Sequence, residues 1–280
     1  MRVTLRGTRG SLASPGPDTV RYGGNTSCVD VIGDEGTALV LDAGTGIRPL
    51  SGVLPSGIKR IDILLTHLHM DHIQGLGFFG PLHNPNAEVH LWGPASTTQN
   101  LAARLKRYLS PPLFPVRVSD LACRLMFHEV PCGDIDIGEF RVSTASVCHP
   151  GPTVGYRIVS PKGKVLTYLP DHEPALGALR FPQLPRAWTS GAMLAENADL
   201  LIHDSQYTND EYNARRGWGH SAIEQSLAFA QLAEVRSLVP FHHDPEHSDS
   251  FLDKVFDEAI QKAKPQFKIH TGLEGASFVV

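Results

Sequence analysis

The 280-residue sequence predicts a layered α/β fold, and three observations carry that reading. Short runs rich in β-branched and aromatic residues recur from the first residue to the last. Helical signals stand between them, and a 41% hydrophobic chain of this length buries a large core. Strands and helices mixed along the whole chain pack as layers rather than as a bundle or a lone sandwich. Length alone allows one large domain or two, and with no linker, repeat or low-complexity tract, residues 1–280 are read as a single domain.

The strands are expected, in order, at Met1–Gly7, Ser27–Gly33, Thr37–Asp42, Ile61–Thr66, Ala87–Trp92, Arg124–Val130, Phe140–Val147, Val154–Ser160, Lys164–Leu169, Asp199–Asp204, Ser237–His242 and Ala276–Val280. Each alternates or runs apolar for the length of a strand and is bounded by turn residues. Ser221 with Glu224 three positions on has the form of a capping box, and predicts a helix to about Val235. Leu252, Val255, Phe256, Ala259 and Ala263 keep one apolar stripe that Pro265 ends. Tyr22 to Ser27 is glycine-rich without phosphate-loop spacing, which predicts a structural turn.

Composition narrows the function classes. No apolar run reaches the roughly 18 residues of a membrane span, and the first seven residues lack the apolar stretch of an export signal, so a cytoplasmic location is expected. Cys28, Cys123, Cys132 and Cys148 are scattered, as reduced thiols are, and strand alternation turns Cys148 away from the side His149 faces and into the core. A net charge of −4 argues against a general polyanion-binding surface.

Chemistry concentrates in one place. Directly after Ile61, Asp62, Ile63, Leu64 and Leu65 come Thr66, His67, Leu68, His69, Met70, Asp71 and His72. In extended backbone alternate side chains share a face, so His67, His69 and Asp71 converge and His72 begins the next element. Imidazole and carboxylate in that density suit Zn²⁺.

The pattern His-x-His-x-Asp-His after an apolar strand resembles the first metal motif of the metallo-β-lactamase fold hydrolases, and further matches follow in chain order from about Arg6 to the C-terminus. The resemblance implies a four-layer αββα sandwich with a dinuclear centre at one edge. It implies His149 as the third histidine, Asp171 as the bridging carboxylate, and His242 as the last ligand with His243 as the alternative. His67, His69 and His149 would hold one ion, and Asp71, His72 and His242 the other. Asp71 would also orient the attacking hydroxide. Asp42, ending a buried strand before a glycine turn, would orient a ligand histidine. Two divalent ions are expected, Zn²⁺ first, with Mn²⁺ or Fe compatible with the same ligands.

His220 and Asp204 resemble the non-ligand histidine and its acidic partner in the phosphodiesterase members, ribonuclease Z among them. Such a pair keeps an imidazole oriented and protonated for a leaving alkoxide. The expectation is therefore hydrolysis of small or cyclic phosphodiesters through a hydroxide shared by two metals, with a glyoxalase II-like thioester hydrolase or ribonuclease Z-like RNA processing as alternatives. Pro150 to Pro170 leaves no room for the long tRNA-gripping arm, which disfavours long nucleic acid as a partner, and the cysteine-rich zinc site of the phosphoribosyl cyclic phosphodiesterases has no counterpart. A flavodiiron-type oxidoreductase would carry an acidic residue in place of His69. No membrane partner is expected, and a homodimer is compatible. Substrate contacts are expected from Arg216 and Trp218, and the segment from Leu105 to Pro115 is either a second cover or a stiff connection.

Overall fold

The computed structural model describes residues 1–55, 57–176, 178 and 181–280. The first half of the chain builds β1 (Arg2–Gly7), β2 (Cys28–Ile32), β3 (Ala38–Leu41), β4 (Arg60–Leu64), β5 (Glu88–Pro94) and β6 (Arg124–Val130). The second half builds β7 (Gly133–Ile137), β8 (Phe140–Ser146), β9 (Val154–Val159), β10 (Val165–Leu169), β11 (Leu200–Asp204), β12 (Ser237–Phe241), β13 (Lys268–Ile269) and β14 (Ser277–Val279). One sheet has the order β14-β1-β2-β3-β4-β5-β6, the other β13-β12-β11-β10-β9-β8-β7. The helices are α1 (Ile47–Leu50), α2 (Met70–Ile73), α3 (Leu101–Tyr108), α4 (Ala192–Ala195), α5 (Asn209–Ala214), α6 (Ile223–Leu232) and α7 (Asp249–Ala263). Among the described residues, no helix is long and apolar enough to cross a membrane.

Alternation along the strands produces the layers. In β4 the side chains of Ile61 and Ile63 pack with Leu101 and Leu105 of α3 on the outer face, while Leu64 turns to the other side. Between the sheets lie Leu5, Val31, Leu39, Phe140, Tyr156, Leu166, Tyr168, Val239 and Phe241. Outside the second sheet, Leu169, Leu201 and Leu238 meet α4, α6 and α7 through Ala195, Phe229 and Phe256. The order is helix, sheet, sheet, helix.

Every expected strand is present to within two residues at either end, and two more appear. β7 carries Asp134 and Asp136 on an exposed edge, and β13 has two residues, so neither offers an apolar run to read. The Ser221 capping box does not form. α6 starts at Ile223, the Gln225 side chain accepts from the Ala222 N–H (3.0 Å), and the Ser221 hydroxyl donates instead to the His172 carbonyl (2.6 Å). A tertiary partner for the serine outcompetes the local cap. The helix ending before Pro265 is found as α7. The Tyr22–Ser27 turn is structural: Tyr22 stacks edge-on against His243, and Thr26 exchanges hydrogen bonds with Thr45.

Strand direction selects where chemistry gathers. β3, β4, β5 and β6 run parallel, as do β10, β11, β12 and β13. β9 is antiparallel to both β8 and β10, so β8 points the same way as β10. The carboxyl ends of β8, β10, β11 and β12 thus share one edge of their sheet, the position at which parallel sheets present ligand-binding loops. Across the gap the Tyr156 hydroxyl donates to the Leu65 carbonyl (2.7 Å) and the Val154 N–H to the Thr66 carbonyl (2.9 Å), locking that edge to the end of β4.

Candidate metal centre

Four strand ends, those of β4, β8, β10 and β12, deliver seven residues to one spot. The chain stays extended from β4 through His69 (φ −66°, ψ 153°), then turns into α2, so Asp71 and His72 leave the face that His67 and His69 share. The alternation expected to carry Asp71 alongside them stops one residue too early, because the His72 N–H bonds back to the His69 carbonyl and closes a helical turn. Two groups result, each with ligand atoms within 4.8 Å of one another: His67, His69, His149 and Asp171, and Asp71, His72, Asp171 and His242.

Asp171, 2% exposed at the end of β10, stands between them. Its Oδ2 lies 3.6 Å from both His67 Nε2 and His149 Nε2, while Oδ1 lies 2.9 Å from His72 Nε2 and 3.3 Å from His242 Nε2. One oxygen faces each group. The first group is open, with His69 exposed; the second is wholly buried.

The donor atoms face each other rather than protein partners. Among the described residues, His67 Nε2 and Asp171 Oδ1 are buried with no hydrogen-bond partner, although His72 Nε2 stands 2.9 Å from Oδ1. His149 Nε2 and His69 Nδ1 are 3.1 Å apart, and His72 Nε2 and His242 Nε2 3.4 Å. A buried polar atom left unpaired costs about 1–3 kcal/mol. Lone pairs collected around a shared carboxylate fit divalent cations, and the donor set of imidazole and carboxylate suits Zn²⁺-like ions.

The opposite nitrogen of four rings is held. His72 Nδ1–H donates to Asp42 Oδ2 (2.8 Å), His149 Nδ1–H to the Gly219 carbonyl (2.8 Å), His242 Nδ1–H to Gln206 Oε1 (2.9 Å) and His67 Nδ1–H to the Thr66 hydroxyl (3.0 Å). The Thr66 hydroxyl in turn donates to Asp42, which also accepts from Tyr168 across the sheets (3.0 Å). Anchoring one nitrogen leaves the other free and aimed at a metal. Asp42 and His242 both hold left-handed backbone (φ 57° and 62°), which costs of order 1–3 kcal/mol each and persists where surrounding bonds fix it.

Burial and the neighbouring His72 push His67 well below the usual histidine range, and burial carries His149 down to about 4. Both are neutral and ready to ligate. Burial would also lower His72, but Asp171, Asp71 and Asp42 override it and hold a positive charge there, a demand that a cation meets equally well. Asp71 is kept ionised against its burial by His72 and His242, and its Oδ2 accepts from the Ser11 N–H (2.8 Å).

His220 lies beside both groups. Its ring stacks on His242 (4.9 Å between centroids) and meets His149 edge-on (5.1 Å). Nδ1–H donates to Asp204 Oδ2 (2.8 Å), whose carboxylate also accepts from the backbone of His172, Gln206 and Ser221. Burial would lower His220, but Asp204, Asp171 and Asp71 raise it to about 9 in the metal-free protein. It caps no helix.

The remaining residues fall variously. His243 faces the core, against Tyr22 and Phe256, with Nε2 bonded to the Gly272 carbonyl, so His242 is the one in the cluster. Cys148 is half-buried and outside the core clusters, contrary to the expectation that it packs there, because its peptide turns away after β8, where the Cys148 N–H bonds the Ser190 hydroxyl. Arg216 lies over Tyr212 (5.6 Å) and Trp218 is 61% exposed. The segment from Leu105 to Pro115 packs against the chain that follows α2: the Tyr108 hydroxyl bonds the Gln74 carbonyl and Phe114 meets Phe78 edge-on. Gln206 and Glu173 were not foreseen. Each sits two positions beyond an aspartate at or just after a strand end, and that two-residue step is the signal that would have found them.

The sequence profile described as the beta-lactamase superfamily domain matches residues 37–243. A ribonuclease Z from Haloarcula marismortui is 25% identical over 300 aligned positions, covering 92% of this chain and 91% of the relative. The metallo-beta-lactamase fold protein YhfI from Bacillus subtilis superposes with a TM-score of 0.71 at 18% identity, over 99% of both chains. The short form of human tRNase Z gives 0.67 at 19% identity, over 100% of this chain and 99% of its own. With its sandwich of two mixed sheets and its histidine–aspartate cluster at their shared edge, the chain belongs to the beta-lactamase superfamily, as a hydrolase of the metallo-β-lactamase fold.

Proposed function

We propose that the protein hydrolyses small or cyclic phosphodiesters with two divalent ions, Zn²⁺ first, held by His67, His69 and His149 on one side and by Asp71, His72 and His242 on the other, with Asp171 shared. The observation that carries this reading is the split carboxylate of Asp171, one oxygen toward each group, with the His220 ring stacked alongside. When bound, such a pair of ions supplies positive charge for the phosphoryl oxygens and a water acidic enough to attack near neutral pH.

The chain's own residues do the rest. Asp204 fixes the His220 ring and keeps it charged, so that its Nε2–H gives a proton to the oxygen leaving phosphorus as the P–O bond breaks. The charged ring also suits a phosphate oxygen better than a thioester carbonyl, which weighs against the glyoxalase II reading. Asp42, Gln206, Gly219 and Thr66 hold the ligand rings so that no reorientation accompanies the reaction.

A second reading, ribonuclease Z-like processing of RNA, is favoured by the end-to-end likeness to the Haloarcula marismortui protein. Against it, the connection from His149 to Asp171 is taken up by β9 and β10, which leaves no arm at that place to grip tRNA. The deciding experiment loads the protein with Zn²⁺ or Mn²⁺ and compares 2′,3′- and 3′,5′-cyclic nucleotides, a thioester and a precursor tRNA at two ionic strengths. Preference for a cyclic nucleotide with little salt dependence is expected. Efficient tRNA cleavage that falls steeply with salt, as release of many counterions requires, would replace the small-substrate reading with the second one.

A further inference from the structure

Glu173 is fully buried, and its carboxylate accepts two backbone N–H groups of one short turn, Gly217 at Oε1 (2.9 Å) and Gly219 at Oε2 (2.8 Å). The residue between them is Trp218, whose side chain is 61% exposed. Burying a carboxylate is costly unless its oxygens are satisfied, and here the partners are the N–H groups of the two glycines that flank one exposed aromatic. Both glycines adopt left-handed backbone (φ 89° and 90°), and a Cβ at Gly219 would come within 2.3 Å of His149 Nδ1. The turn is therefore set tightly against the candidate metal centre. The Gly219 carbonyl is the acceptor for His149 Nδ1–H, and the next residue is His220. The Glu173 N–H bonds the Cys148 carbonyl (2.9 Å), so the carboxylate that clamps the turn is itself tied to the end of β8 beside His149.

We propose that Glu173 is a positioning residue that holds the Gly217–Gly219 turn so that Trp218 forms a fixed aromatic platform at the mouth of the site, on which the base of a nucleoside phosphodiester stacks while its phosphate meets His220. The inference rests on the phosphodiesterase reading and narrows its substrate to those carrying an aromatic base. Trp218 and His220 are two positions apart, a Cα distance of at most about 7 Å, so a base on the indole and a phosphate at the His220 ring belong to one small molecule. An exposed aromatic on a loose loop would lose conformational freedom on every binding event; on a pinned turn that loss is already met.

The test uses 2′,3′-cyclic AMP and the same cyclic ribose phosphate with a methyl group in place of the base. In Trp218→Ala the KM for cyclic AMP should rise roughly 5- to 100-fold, the scale of one lost base stack, with that for the base-free analogue little changed. Glu173→Gln should raise the cyclic AMP KM and also lower kcat on both substrates, since His149 and His220 share the turn. In the Trp218→Ala background Glu173→Gln should still lower kcat yet leave the cyclic AMP KM where it was. Equal KM changes on both substrates, or KM effects of the two substitutions that simply multiply, would overturn the proposal. Hydrogen exchange on the metal-free protein reads the clamp directly: the amides of Gly217 and Gly219 should be slow in the wild type and fast in Glu173→Gln, and equal rates would also overturn it. If no phosphodiester is turned over with both ions bound, it is the phosphodiesterase reading that fails. Binding of AMP to the metal-free protein then decides the platform, weaker binding in Trp218→Ala supporting it and equal binding removing it.

Discussion

Two groups of buried histidines stand back to back in this molecule and behave in opposite ways. In the front group, His67, His72, His149 and His242 each bond one ring nitrogen to a protein partner and turn the other toward Asp171. In the group behind, His172 and His203 spend both. His172 Nδ1 and His203 Nε2 are 3.0 Å apart, His172 Nε2 meets the Ser190 hydroxyl and His203 Nδ1 the Ser226 hydroxyl. His172 directly follows Asp171 and His203 directly precedes Asp204, so nearness in sequence to the acidic residues does not separate the groups. What separates them is the free second nitrogen, which is what a metal needs and a packed core does not.

The largest effect that would break this distinction is expected at the shared carboxylate. Asp171→Ala should lower metal content from about two ions per chain to below one, and reduce activity by more than the roughly 10–100-fold that losing an anchoring partner costs. Elemental analysis with turnover of bis(p-nitrophenyl) phosphate measures both, and two ions with normal turnover would remove Asp171 from the bridge. Next comes His220, which belongs to neither group. His220→Ala should keep its metal and lose roughly 10²–10⁴-fold in turnover of a substrate with a poor leaving group. The loss should shrink for a nitrophenolate, which needs no proton, and equal losses on both would assign His220 to positioning.

Within the front group, anchors can be tested one at a time. Gln206→Ala frees His242 Nδ1, and the buried Asp71, His72 and His242 side should lose about 10–100-fold in metal affinity while the open side keeps its own. A chelator titration should then show two separate steps. Simultaneous loss of both ions would mean the two sides do not hold metal independently.

The smallest effect is expected in the rear group. Burial holds His203 at about 3 in the folded protein, against an ordinary value near 6.5 when unfolded. Between those values the unfolded chain binds the extra proton, so stability falls as pH drops below about 6.5 and recovers as pH rises. His203→Gln should leave metal content intact and shrink the stability difference between pH 7 and pH 5 by about 2 kcal/mol in urea unfolding of the metal-free protein. An unchanged pH dependence, or lost metal, would erase the line between front and rear.

Much of this was legible before any tertiary structure. The His67 to His72 run, His149, Asp171 and His242 each follow an apolar strand, and strands of that pattern are read from alternation alone. That their ends meet at one edge was implied by the family resemblance and not by the alternation. The expectation that Asp71 shares a face with His67 and His69 failed, since extended and helical backbone divide at His69 and nothing in the residue types there marks the change. The Ser221 cap failed for a related reason: the His172 carbonyl, 49 residues away, took the hydroxyl.

By itself, then, the sequence determined twelve of the strands, the two longest helices and the chemistry they carry, for local pattern sets strand and helix and residue type sets affinity for metal. The tertiary structure decided three things that local pattern cannot reach. It chose His242 over His243, because left-handed backbone at His242 turns the first toward Asp171 and leaves the second against Tyr22. It drew Gln206 and Glu173 into anchoring roles, and it divided Asp171 between two sides. Each of these depends on atoms from strands far apart in the chain arriving within hydrogen-bond reach, and only the packing of the two sheets brings them there.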